Sequence, residues 1–546
     1  MICKKPFMLI FVTACLVLSC RSGQRATPSS ADTGPRRGGK IVLLSQNGPD
    51  YLDPALAYLS TSWEILPAVY NGLLSYVKAA GAEGLDLIPD LAADMPVVSS
   101  DGRTYTFVIK DDILFGPPLS RQVRAADFKY SIERLFRLNS PGVGFYMNIR
   151  GAAEISSGRA DHIEGIEIWG DTLTFHLLEP DAVFLNKLAM PFTYVVPREV
   201  AEDHPQDYSQ HSVATGPYMI AQYVPRRRII LVRNPNYSGH EGYVDTLEIQ
   251  LGANTLNAVA KIKKDQADLL LDVLPPSEIP RLKGDPRYEN QLKISPIGSL
   301  YYIFMNLQVE PFDDLRVRQA VCYAIDKGAL LKVWSGQGTI AHEIIPPEFP
   351  AFEALNLYPG PNLEKARELL AEAGYPKGFK TDFYASNLDP NPRAAEVVQA
   401  QLRQVGIRTT IRLFDSSVYY QLLGRPAENI PMGLTGWYQD YPDPSNFIDV
   451  LFNGNRITAV RNNNVSHYDN LEVNRLIEKT LISMDPETRK QNWRRLDRMI
   501  NADAPIVPYL HFTNHAFISS RLGGYIYHPS VGTLLTRLYL KERARL

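Results

Sequence analysis

The chain has 546 residues, with 57 basic and 59 acidic side chains and a net charge of −2. That balance gives no electrostatic reason to bind nucleic acid, and about 500 residues beyond the leader are too many for one core, so two or three lobes are expected. The four cysteines, Cys3, Cys15, Cys20 and Cys322, include no CxxC pair, which excludes a four-cysteine zinc centre.

The N-terminus reads as an export signal. Lys4 and Lys5 precede an apolar stretch over residues 7–18. That stretch is too short to span a bilayer and fits a signal-peptide core. It ends in Leu18-Ser19-Cys20, the pattern of a bacterial lipoprotein signal. Cleavage after residue 19 leaves Cys20 as the lipidated N-terminus and membrane anchor. Residues 20–37 are rich in Ser, Thr, Pro, Gly and Arg and poor in large apolar side chains, so a flexible tether is expected. Cys322 is then the one thiol left, and its apolar helical run over residues 317–325 predicts a buried, inert group.

Strands and helices alternate beyond the tether. Residues 40–44 read as a first strand, and residues 104–109 as another, opened by the turn Asp101-Gly102. Leu173, Phe175 and Leu177 alternate with polar partners, and the apolar run 229–232 suits a central strand. Asn362 is placed to cap a helix over 363–373 that Gly374 ends. Asp313 or Asp314 can cap a helix carrying Val317, Ala320, Val321, Ala324 and Ile325. Residues 396–405 and 488–500 also read as helices, so the body is α/β.

Catalytic motifs are missing where an exported hydrolase would carry them. There is no G-x-S-x-G elbow, S-x-x-K set or Walker A loop. His240-Glu241 and His342-Glu343 lack the second histidine that a zinc-protease helix needs. Residues 336–341 fit G-x-G-x-x-A, but Pro346-Pro347 follow and forbid the helix a dinucleotide site requires, so a surface turn is expected. No catalytic residue, cofactor or metal ligand is assigned, and the chain is not expected to be an enzyme. No close histidine cluster speaks for a metal, although histidines distant in sequence could meet in space.

Several segments, in this order, carry a family resemblance. They are Ser100-Asp101-Gly102-Arg103-Thr104-Tyr105-Thr106-Phe107, Ala125-Ala126-Asp127-Phe128, Thr215-Gly216-Pro217-Tyr218 and Arg233-Asn234-Pro235-Asn236-Tyr237. Further on come Asp313-Asp314-Leu315-Arg316-Val317-Arg318-Gln319-Ala320, Ala373-Gly374-Tyr375-Pro376 and Trp437-Tyr438-Gln439-Asp440-Tyr441-Pro442-Asp443-Pro444. The chain resembles the oligopeptide- and dipeptide-binding, extracytoplasmic solute-binding proteins of ATP-binding-cassette importers, family 5.

The resemblance implies a two-lobed, type II periplasmic-binding-protein-like fold with an added third lobe and a hinge. Lobe I would combine 38–85, 211–298 and 515–546, the added lobe would be 86–210, and lobe II 299–514. The chain would cross the hinge near Ser299 and Thr513. Short peptides would bind between the lobes, without a cofactor, for delivery to the importer's permease subunits. The carrier would be a monomer, lipid-anchored outside the cytoplasm on the periplasmic side or cell surface. Asp440 would hold the ligand's ammonium group, with Trp437 and Tyr438 beside it as ligand contacts. Counting back from Trp437, Arg425 matches an arginine that some oligopeptide binders use for the ligand's carboxylate, while a second such position holds Leu434. Arg393 is a further candidate for that carboxylate, and Tyr146 for contact from the added lobe. Surface charge explains either arginine equally well, and core packing would explain Tyr146 or Trp437. The same fold also serves nickel chelates, haem, opines and oligosaccharides, and a sensor or chaperone could use the same cleft.

Overall fold

A computed structural model describes residues 35–542. The signal segment, Cys20 and the tether up to residue 34 lie outside the described residues. None of the described helices is long and apolar enough to cross a membrane. The chain is already tied to the body before residue 38: Arg36 bridges to Leu540, and the Arg37 guanidinium donates to the His240 carbonyl.

The first large lobe is built on a five-stranded sheet ordered Leu269–Leu270, Lys40–Ser45, Thr246–Leu251, Arg228–Arg233 and Tyr218–Val224. Its first strand in sequence is buried on both faces. Ile41 and Leu43 point into one apolar cluster and Val42 and Leu44 into another, as the two-residue period of a strand dictates. The added lobe carries a four-stranded antiparallel sheet containing Thr104–Val108 and Thr172–His176. Its inward residues Tyr105, Phe107, Leu173 and Phe175 join the cluster of Ile41 and Leu43, so the added and first lobes share one core.

The second large lobe is built on a seven-stranded sheet. Its central strands Ile506–Phe517, Ser299–Met305 and Met432–Tyr438 lie side by side. Ile303 and Met305 pack on one face, and Leu300, Tyr302 and Phe304 on the other. The twelve-residue strand Ile506–Phe517 joins the lobes. Its start pairs with Ser299–Met305, its end pairs with Leu292–Pro296, and Ile518 then bridges to Leu269 of the first sheet.

Most local readings hold. Asn362 accepts from Lys365 N–H at the start of Leu363–Glu372, and Asp314 rather than Asp313 accepts from Arg316 N–H before Leu315–Ala324. Cys322 is buried and its thiol is pushed up to about 12 by desolvation. Two readings are corrected. The helix expected from residue 396 spans Asn391–Arg403, since Pro392 sits in the first turn, where no N–H partner is needed. The expected surface turn at 336–341 instead enters the sheet. Gly338–Thr339 pairs with His511 and Phe512, and Gln337 beside it is fully buried. A Cβ at Gly338 would lie 2.3 Å from the His511 carbonyl oxygen, so only glycine allows that approach.

Candidate interlobe binding site

Asp440 owes its position to the strand before it and the turn after it. Met432–Tyr438 pairs in register along Ser299–Met305 and loses burial towards its end. Two glycines let the strand sit this close to its neighbours. A Cβ at Gly433 would meet the Tyr384 carbonyl oxygen at 2.4 Å, and Gly436 lies against the Tyr301 ring. Beyond Tyr438 the segment turns through Pro442 and Pro444 into helix Ser445–Phe452, with Asp443 accepting from Ser445 N–H (2.9 Å).

Asn446 locks this turn. Its Oδ1 accepts from the Asp440 N–H (2.9 Å) and from Trp437 Nε1 (3.0 Å), and its Nδ2 donates to Asp440 Oδ2 (3.1 Å). A second donor to the same carboxylate oxygen comes from the other lobe: Tyr58 O–H, at 3.3 Å. Tyr58 is itself braced by the rings of Trp63 and Phe192 (centroids 5.8 and 5.6 Å). Desolvation pushes the Asp440 carboxyl up to about 6, against the pull of these two hydrogen bonds. The carboxylate is therefore fixed, partly dry and short of a cation.

The neighbouring residues clasp the lobes. Gln439 Nε2 donates to the Pro529 carbonyl (3.0 Å) and Ser530 Oγ (3.2 Å). Tyr441 is buried in the shared core of the first lobe, edge-on to Phe145 (6.2 Å).

Beside Asp440 runs a wall of tyrosines. Tyr438 and Tyr301 share a hydroxyl–hydroxyl bond of 2.6 Å, and Tyr420 and Tyr527 lie close enough to act on the Tyr301 or Tyr438 hydroxyls. Tyr438 and Tyr420 keep 40% and 55% of their surface exposed. Burial nonetheless pushes both hydroxyls up, Tyr438 to about 12. Surface open to a solvent probe, deep among protein atoms, marks the wall of an internal cleft. On the first-lobe side Glu64 is buried, accepts from Thr533 N–H (2.7 Å) and is pushed up to about 7 by desolvation.

The other expected ligand contacts fall elsewhere. Tyr146 is fully buried core, its hydroxyl donating to the Lys187 carbonyl (2.8 Å). Arg393 pairs with Asp389 across the first turn of its helix, where both side chains are exposed. Arg425 is exposed beside a shallow hollow of about 10 Å³ lined by Asn306, Ile430 and His467. Asn446 ties Asp440 to Trp437, with Tyr438 between them in the chain, while Tyr146, Arg393 and Arg425 have other partners and surroundings. Tyr58, Asn446 and the partners of Tyr438 were missed by the sequence reading. Only Asn446, six residues from Asp440, was within reach of a local signal. A further, partly open cavity of about 30 Å³ lies where the first and added lobes meet, between Glu64, Asn71, Asp90 and His528.

Comparison with known proteins agrees with this architecture. The model described as bacterial extracellular solute-binding proteins, family 5 Middle, matches residues 86–459. A Haemophilus influenzae protein named heme-binding protein A is 30% identical over 560 residues, covering 96% of this chain and 97% of its own. The dipeptide-binding protein of Escherichia coli K12 is 28% identical and covers 90% and 92%. The solved structure of clavulanic acid biosynthesis oligopeptide binding protein 2 superposes with a TM-score of 0.86 at 26% identity, over 93% of this chain and 96% of its own. A family model matching residues 86–459 and a relative 30% identical along nearly the whole chain decide the family: the chain belongs to family 5 of the bacterial extracellular solute-binding proteins.

Proposed function

We propose that this protein is a lipoprotein, anchored through Cys20 outside the cytoplasm, that binds short peptides between its lobes and delivers them to the permease subunits of an ATP-binding-cassette importer. The observation that carries this reading is Asp440: a desolvated carboxylate held from both lobes by Tyr58 and Asn446, with no ion pair to a basic side chain among the described residues. An α-ammonium group, common to all unblocked peptides, is the partner such a group lacks. Trp437 and the tyrosines supply apolar surface with hydroxyls at the rim, which tolerates varied side chains. Lobe limits of 38–85 with 211–298 and 515–546, then 86–210, then 299–514, fit this reading. The long strand Ile506–Phe517 pairs on both sides of the crossing near Thr513.

The test is calorimetric titration of the chain from residue 22, stripped of ligand, with two- to five-residue peptides and their N-acetylated twins. Free peptides should bind and the twins should bind at least about 30-fold more weakly, the cost of leaving a buried charge unpaired. Asp440→Asn should abolish most of that difference. Equal binding within each pair would sink the ammonium role. Binding of haemin with no binding of any peptide would replace peptides as the solute, a result that the name of the Haemophilus relative makes worth testing.

A further inference from the structure

His204, Asp207 and His211 come together where the added lobe runs into the second segment of lobe I. His204 follows helix Arg198–Asp203, Asp207 precedes the single turn Tyr208–His211, and His211 ends that turn. The two imidazoles stack face to face, with centroids 3.6 Å apart and planes 6° from parallel. Both Nδ1 atoms address one carboxylate. His204 Nδ1 lies 3.5 Å from Asp207 Oδ1, and His211 Nδ1 lies 3.2 Å from Asp207 Oδ2. One donor atom from each of the three residues falls within 4.8 Å of the others.

We propose that these three residues form a binding site for one divalent transition-metal ion of the zinc or nickel class. The spacing fits. Four ligands at about 2.0–2.1 Å around zinc stand about 3.3–3.4 Å from one another, and the two nitrogen–oxygen separations bracket that value. The donor set is two imidazoles and one carboxylate, which suits borderline ions and leaves room for water. Calcium and magnesium ask for more oxygen ligands than this site has.

The scaffold is held while the ligands are free to adjust. Tyr208, between Asp207 and His211, is buried beneath the Arg134 guanidinium (5.2 Å), which is itself paired with buried Asp53. Ser209 Oγ accepts from the Leu52 N–H (3.0 Å). The two imidazoles keep 35% and 43% of their surface exposed. The rings stand parallel, so binding requires each to turn about its Cβ–Cγ bond until both lone pairs meet one ion, and their exposure leaves room for that turn. The spacing His-x-x-Asp-x-x-x-His crosses a break between two helices. It matches no helical metal motif, and the sequence analysis assigned no metal ligand here.

The test uses the chain from residue 22, without an affinity tag, titrated with Zn²⁺ and with Co²⁺, whose visible absorption reports coordination. One equivalent should bind, with no comparable binding of Ca²⁺ or Mg²⁺. His204→Ala and His211→Ala should each weaken binding at least about tenfold, and Asp207→Asn should weaken it too. His240→Ala, an exposed histidine elsewhere, should not. Peptide affinity should be unchanged in all four variants, which separates this site from the cleft. No saturable Zn²⁺ binding, or binding that survives both histidine substitutions with the fold intact by circular dichroism, would overturn the proposal.

Discussion

At the residue scale the decisive feature is a carboxyl group moved out of its usual range. Asp440 is pushed from 3.8 to about 6 by desolvation. An ammonium ligand requires its charged form. Peptide affinity should therefore peak near pH 7, between the Asp440 carboxyl and the peptide's α-amino group at about 7.7–8.0, and fall about tenfold per unit below pH 6, where each binding event must expel a proton. Calorimetry between pH 4.5 and 7.5 in buffers of different ionisation enthalpy would show both effects. In Asp440→Asn the remaining weak binding should lose this dependence. The stability sign is opposite. The folded, unliganded chain holds this proton more tightly than the unfolded chain does. Its contribution to stability thus grows as pH falls from about 6 to about 4, and is absent well above 6. Ligand binding and unliganded stability pull against one another through the same oxygen atoms.

At the element scale, the strand Met432–Tyr438 and the turn after it deliver three neighbours to three different jobs. Asp440 is held by Asn446 and by Tyr58 of the other lobe, Gln439 reaches the C-terminal segment at Pro529 and Ser530, and Tyr441 enters the first lobe's core. Gly298, just before Ser299–Met305, makes room for the second of these. A Cβ there would lie 2.1 Å from Gln439 Oε1. Because that atom ends a flexible side chain, Gly298→Ala should leave the sheet intact and push Gln439 off Pro529 and Ser530. The variant should fold normally by circular dichroism and release bound peptide faster in stopped-flow measurements. Unchanged release would mean that Gln439 does not clasp the lobes. The local chemistry of such elements was legible in sequence. The Asn362 cap, the Asp314 cap and the alternation of Ile41 to Leu44 follow from nearest-neighbour rules. The strand at Gly338 was not legible, because its partner strand lies more than 170 positions away in the chain.

At the scale of the whole molecule, the contacts that link the lobes include polar ones from Tyr58 and Gln439 and the buried ring of Tyr441. Tyr58→Phe keeps the ring packed on Trp63 and Phe192 and removes only the bond to Asp440. A hydrogen bond to a charged group at this length is worth about 1.5 kcal/mol, so the closed form should lose about tenfold in population. Small-angle scattering should show a larger radius of gyration for the unliganded variant than for the unliganded parent. With saturating peptide the two should coincide. Identical unliganded curves would deny Tyr58 a part in closure.

The α/β class and the family were legible in the sequence alone, because each rests on short contiguous patterns or on their order along the chain. Asp440 and Trp437 were legible for the same reason. What only the tertiary structure decided is which distant groups meet them. Tyr58, Tyr301, Tyr420 and Tyr527 stand tens to hundreds of residues from Tyr438 and Asp440, and no local rule joins them. Tyr146 reads the same in sequence as a cleft tyrosine, and only packing sends it into the core. Arg393 and Arg425 carry the charge a peptide carboxylate wants, and only the tertiary structure shows Arg393 paired with Asp389 and Arg425 beside a small hollow. Charge and residue type are properties of the chain; desolvation and proximity, which turn them into a site, arise only on folding.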